Sequence, residues 1–212
     1  MARRVIWVLA VAWFSLVLWQ KPSLAQTDQR CPEPVAEVVS GQGKIEIREA
    51  GTGLSQPAEL RTLICPGDSI AVGDRSRAAL VLLNSGAILR IDQNTTLRIL
   101  EPIEKGVSLV DLLIGAINFL SSTPRSLEVR TPFVNAGVRG TEFMIRVGRE
   151  QTFITVFEGT VAAENAFGRQ TLTGGQSAVA RADAAPESRI IVRPRDSVQW
   201  ALFYQPVLSL IV

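Results

Sequence analysis

Between residues 35 and 193, short apolar or alternating runs follow one another, punctuated by glycine, and no helical periodicity is sustained. That pattern predicts an all-β chain. Residues 44–48 (KIEIR) alternate strictly, so Ile45 and Ile47 are expected to face a core while the charges face water. Pro66-Gly67-Asp68 and Gly73-Asp74-Arg75 have turn chemistry, because glycine takes positive φ cheaply and aspartate bonds nearby amides. Runs at 78–83 and 87–91, joined by Asn84-Ser85-Gly86, and a third at 97–100 after Asn94-Thr95, predict a meander. The first is apolar on both faces, as suits a strand covered on both sides. Residues 107–120 admit a buried helix, but their β-branched content and Gly115 favour two successive strands or one kinked strand. Alternation returns at 126–130 and ends at Thr131-Pro132, since proline cannot donate to a ladder. Further strands are expected at 142–147, 152–157, 160–164, 169–172 and 176–181, with Glu158-Gly159 joining the second to the third. The glycine spacing suits coils of a roll better than long hairpins. Residues 182–188 are small and polar, a linker or edge loop. Pro194-Arg195-Asp196 then opens a short helix whose stripe is Val198, Ala201, Leu202 and Tyr204, stopped by Pro206. So short a helix needs a surface to pack on.

The N-terminus carries a different pattern. Arg3 and Arg4 precede an apolar run from 5 to 18, and Ser23-Leu24-Ala25 has the small-x-small form of a cleavage site. This predicts a signal peptide over residues 1–25 and export. The alternative, an uncleaved anchor, needs a longer run than one that stops at Gln20 and Lys21. The expected organisation is therefore a leader at 1–25, a β domain at 26–182, and a linker, short helix and apolar tail at 183–212. No membrane span is expected after cleavage. In an oxidising compartment Cys31 and Cys65, the chain's two cysteines, are most simply read as one disulfide, with a pair of free thiols as the alternative.

Composition then narrows the chemistry. The whole chain has 22 basic and 20 acidic residues. The leader holds Arg3, Arg4 and Lys21 and no acid, so the remainder has 19 basic against 20 acidic residues and no basic surplus. No Lys/Arg cluster interleaved with aromatics occurs, and nucleic acid is not an expected partner. Histidine is absent, which removes the commonest general base, the Ser-His-Asp triad and most transition-metal sites. A carboxylate pair could still hydrolyse glycosides, but the candidates Asp68, Asp74, Asp92 and Asp111 read as turn-forming or solvated residues. No catalytic residue, cofactor or metal is expected. Asp92-Gln93-Asn94 lacks the spacing of a calcium loop.

One ordered set of residues carries more. Val129-Arg130-Thr131-Pro132, then Ala136-Gly137-Val138-Arg139-Gly140-Thr141-Glu142-Phe143, then Val156-Phe157-Glu158-Gly159-Thr160-Val161 and Gly174-Gly175-Gln176 resemble the signature of the FecR family. The resemblance covers roughly residues 35–182. It implies an exported all-β domain, β-roll or β-helix-like or sandwich-like, here with a short C-terminal helix, whose relatives receive a signal from an outer-membrane receptor. It marks Thr131, Pro132, Gly137, Arg139, Gly140, Thr141, Phe143, Glu158 and Gly159 as structural motif positions. Iron-signalling members also carry a cytoplasmic sigma-regulatory region and a spanning helix. Only four residues precede the apolar run here, so direct control of a sigma factor is not expected. The 192–208 stretch also resembles the junction into helical repeats found in some secreted relatives.

Two positions carry specific expectations. Arg139, between glycines, is expected to be partly buried and bonded to Glu158 or Glu142, pinning two coils, with a ligand role as the alternative. Trp200 is expected to pack the terminal helix onto the roll, while Trp200, Phe203 and Tyr204 are the candidate partner contacts. The functional expectation is a secreted or periplasmic, non-catalytic binding, scaffold or signal-receiving module. It would contact an envelope protein, such as an outer-membrane receptor or a repeat protein, by a strand edge or end face. A cell-wall or glycan binder is the alternative, and a remnant of a longer repeat protein is a third reading.

Overall fold

The computed structural model describes residues 30–101, 107–190 and 198–201. The expected leader, the residues Phe203 and Tyr204, and the apolar tail lie outside the described residues. Among the described residues, fourteen strands form one continuous sheet: β1 (Ala36–Gln42), β2 (Ile45–Arg48), β3 (Ser55–Pro57), β4 (Leu63–Ile64), β5 (Ser69–Val72), β6 (Arg77–Leu82), β7 (Ile88–Ile91), β8 (Thr95–Leu100), β9 (Val107–Arg130), β10 (Asn135–Val147), β11 (Gln151–Asn165), β12 (Gly168–Thr173), β13 (Gln176–Arg181) and β14 (Ala184–Ile190). Every pairing among them is antiparallel. This decides for a roll folded like a sandwich over a coil of parallel rungs.

The roll exists because β9 belongs to both of its walls. One branch runs β3-β2-β5-β8 and joins β9 between Leu109 and Ile114, while the other runs β4-β1-β6-β7 and joins it between Ile117 and Leu120. Ile47, Ile70 and Leu97 of the first wall and Leu80, Leu89 and Phe119 of the second are all buried in one apolar cluster. Gly115 stands at the transition. Its φ is +98°, and a Cβ there would lie 2.2 Å from Thr95 Oγ1. Only glycine allows β9 to bend so tightly over the buried Thr95, whose hydroxyl accepts the Ala116 N–H at 3.0 Å.

Burial follows the alternation that predicted it, and Ile45 and Ile47 are both in the core. The disulfide joins Cys31 to Cys65 with Cα atoms 5.9 Å apart. Beside it, the buried Asp68 accepts the backbone N–H groups of Ala50 and Cys65, each at 3.0 Å, and Arg30 Nη1 stands 3.5 Å from its Oδ2. Arg30 also donates to the Leu63 carbonyl. The segment that precedes β1 is thereby fastened to the β4–β5 corner.

Several boundaries depart from expectation. Residues 107–120 and 126–130 belong to a single strand, kinked at Gly115, with 121–124 unpaired to β10 where the register jumps from Leu120 to Arg125. Likewise 152–157 and 160–164 are one strand, β11, because Glu158-Gly159 makes a bend and not a chain reversal. β10 begins at Asn135 and not at 142, since its glycines hide the alternation. The expected linker at 182–188 is mostly β14, which pairs with β13, so the sheet continues past residue 182 to Ile190. A 3-10 turn occupies 198–201, within the expected short helix. Its Val198 and Ala201 pack with Met144, Phe157 and Trp200 on the face of β10 and β11 opposite the main core.

Candidate functional site

The motif residues converge on the β9–β10–β11 hairpins. Thr131 caps the first connection: its hydroxyl donates to the Val134 carbonyl at 2.8 Å, accepts from the Val134 N–H at 3.1 Å, and meets the buried Thr152 Oγ1 at 3.1 Å. Threonine replaces the hydrogen bonds that the exposed Pro132 cannot supply. Phe143 is fully buried and stacks on Phe119, with ring centroids 5.0 Å apart. Between these anchors the strands bend together.

At that bend Gly140 lies opposite Gly159. A Cβ on Gly159, whose φ is +104°, would stand 2.3 Å from the Gly140 Cα, and one on Gly140 would stand 2.7 Å from the Glu158 carbonyl oxygen. The two backbones touch, and side chains are excluded by contact with main chain that cannot rotate away. The register also slips on both sides of Glu142, a bulge that turns the pair of strands. The side chain of Thr141, within this bulge, lies outside the described residues. Glu142 and Glu158 are register partners of each other, one step beyond Gly140 and Gly159.

Arg139 itself corrects an expectation. It is exposed and makes no ion pair or hydrogen bond among the described residues. The reason is strand alternation: Val138 points into the core, which turns position 139 outward, between Ser126 and Thr160 on the neighbouring strands. Glu158 is exposed as well, and the pinning of the coils is done by the glycine contact instead.

Arg139 shares its face with Gly137 and Asn135, the alternate residues of β10. Across the strands, Gly137 is flanked by Glu128 and Ala162, and Asn135 by Arg130 and Glu164. Glu128, Asn135, Gly137, Ala162 and Glu164 border an open cleft of about 510 Å³, closed at one end by Asn165 and Arg169, with Arg130 and Arg139 at neighbouring positions of the same strands. Two arginines here are neutralised by acids of the cleft: Arg130 Nε lies 3.0 Å from Glu128 Oε1, and Arg169 Nη1 3.7 Å from Glu164 Oε2. Asn165 is structural. Its amide donates to the Ala184 carbonyl at 2.7 Å and lies 3.4 Å from those of Phe133 and Arg181, while its oxygen accepts the Phe167 N–H at 3.0 Å. It ties three chain reversals together at the end of the roll. Sequence reading missed both Asn165 and Asn135, although an asparagine three residues before Gly168 is a turn signal that could have marked the first.

The other singled-out residues lie elsewhere. Trp200 is half-buried in the cluster with Met144, and Phe203 and Tyr204 lie outside the described residues. Among the carboxylates considered for hydrolysis, Asp68 is the buried acceptor described above, Asp74 pairs with Arg75, Asp92 with Arg77, and Asp111 is the register partner of Arg98. Among the described residues, no three of His, Cys, Asp and Glu gather as metal ligands.

Known proteins fit this geometry. The family model described as FecR protein matches residues 68–162, from the buried Asp68 at the start of β5 to Ala162 on the floor of the cleft. Two crystal structures of a candidate anti-sigma factor from Parabacteroides distasonis ATCC 8503 share the fold, each with a TM-score of 0.55 and 16% identity over 63% of this chain. The chain spans about 63% of the length of those proteins. A search of the curated proteins found no match. The family match over residues 68–162 and the shared fold agree with the resemblance that the motif residues carry, and that stretch is a FecR-type domain by its match to the family model.

Proposed function

We propose that this chain is a non-catalytic regulatory module of the cell envelope that receives a signal by protein–protein contact. The contact surface in this reading is the outward face of β9, β10, β11 and β12, which revises the expected strand-edge or end-face contact. The observation that carries it is the exposure of motif positions Gly137 and Arg139 beside an open cleft, where neither fills the core nor pairs with a neighbour. Thr131, Pro132, Gly140, Phe143 and Gly159, by contrast, pack or turn the chain. Export is supported by the leader pattern and by the Cys31–Cys65 disulfide, which persists in oxidising compartments. The regulatory character is supported by the family match. A glycan-binding role draws less support, because no aromatic side chain is among the residues that line the cleft, where it could stack against a sugar ring.

Photo-crosslinking tests the reading. A benzophenone side chain placed at Thr160, on the proposed face, is expected to give a discrete crosslinked protein in the native envelope, whereas one at Thr52, on the far branch of the sheet, gives none. Equal labelling from both positions, or retention on purified wall material without a protein adduct, overturns it.

A further inference from the structure

Gly137 has no conformational reason to be glycine. Its φ is not positive, and a Cβ built on it meets nothing within 4 Å. A glycine inside a strand costs roughly 0.5–1 kcal/mol relative to alanine, so here the backbone loses stability without a steric return. What its missing side chain does is keep a floor open. With Ala162 as its register partner, it forms a shallow stretch between the paired acids and bases that border the cleft.

Two unpartnered polar groups stand at the ends of that floor on the same strand face, Asn135 on one side and Arg139 on the other. Four residues of extended chain separate them by about 13 Å. Around that floor, Arg130 with Glu128 and Arg169 with Glu164 satisfy each other. Among the described residues beside that floor, Arg139 therefore holds the uncompensated positive charge, flanked by Ser126 and Thr160 with no acid at either register position.

We infer that Arg139 is the recognition point for a carboxylate side chain of a protein partner, whose extended segment lies over the Gly137–Ala162 floor. This rests on the proposed contact face. The guanidinium fork matches a carboxylate in two parallel hydrogen bonds. One cation at the end of the floor suits the single charge of an Asp or Glu side chain, whereas a phosphate, with nearly twice that charge, is better met by two or more. The cleft lining holds no aromatic ring to stack on a sugar, which disfavours a uronic acid as the carrier.

The test uses the full chain, labelled with 15N, and two probes: the capped peptide Ac-Gly-Ser-Glu-Ser-Gly-NH2 and its Gln analogue. The Arg139 Nε–H signal and the amides of Gly137 and Ala162 are expected to shift saturably with the Glu peptide and about two- to fivefold more weakly with the Gln peptide, the range an exposed ion pair supplies. R139Q is expected to remove the difference between the peptides. G137L, which fills the floor and leaves the guanidinium in place, is expected to weaken both while thermal unfolding stays cooperative. Equal shifts at the exposed Arg61 and Arg149, equal response to both peptides, or stronger binding of glucuronate or inorganic phosphate overturns the inference. A crosslink from Thr160 that survives R139Q unchanged sinks the carboxylate reading alone, whereas loss of any specific crosslink from the wild-type chain sinks the contact face itself.

Discussion

Glycines 137, 140 and 159 are alike on paper and different in the molecule. Gly140 and Gly159 press backbone on backbone at the bend, and Gly159 adds a positive φ of +104°. Gly159→Ala incurs the strain of that backbone region and an overpacking cost against atoms that cannot yield, together about 2–5 kcal/mol. Gly137→Ala incurs neither, because its φ is not positive and the space above it is open. It should leave stability unchanged or raise it by about 0.4–1 kcal/mol through the unfolded chain. Denaturant unfolding of the two alanine variants checks the pair of expectations: a similar loss in both would mean that Gly137 also has a structural role. The motif made all three residues visible in the sequence, but could not sort them, since what distinguishes them is how closely a chain segment some 20 residues away approaches.

Elements show the same division. Alternation located the cores of most strands, because a strand with one buried face repeats every two residues wherever it lies. It failed where a strand changes partners along its length. β9 passes from β8 to β7 and β10, and β11 passes from β13 to β12, and at each passage a glycine or a bulge breaks the pattern. Local sequence reads such a break as an end. β14 was hidden differently: its AAPESRI sequence is small and polar because it is an edge strand paired on one side by β13, and it carries a proline that an edge tolerates. The ends of these elements depend on Asn165, whose amide spans connections that are distant in sequence. Asn165→Ala removes its bonds to Ala184 and Phe167 and is expected to cost about 1–3 kcal/mol. Hydrogen exchange should quicken at 165–168 and 181–184 while the core amides of β10 stay protected; uniform quickening would show that the residue supports the whole roll.

The whole molecule is held at one end by a covalent tie. Cys31 and Cys65 are 34 residues apart and close a loop that contains β1 to β4. In the chain-entropy account this contributes about 3–4 kcal/mol. A Cys31→Ser, Cys65→Ser double variant is accordingly expected to melt roughly 6–16 °C lower, at 2–4 °C per kcal/mol for a domain of this size. The β10–β11 bend lies outside that loop, so the Arg139 face should respond to peptide as in the wild-type chain. Loss of the peptide response with retained folding would couple the disulfide to the face.

By itself the sequence determined the all-β class, the pairing of its two cysteines, and which residues of most strands point inward, because these follow from composition and from a period of two along the chain. Tertiary structure alone decided which glycines touch, which asparagine ties the reversals, and that Arg139 faces water without a partner. Each of those depends on distances between segments remote in sequence, and a residue's neighbours across a sheet are set by register, which one bulge shifts by a whole face.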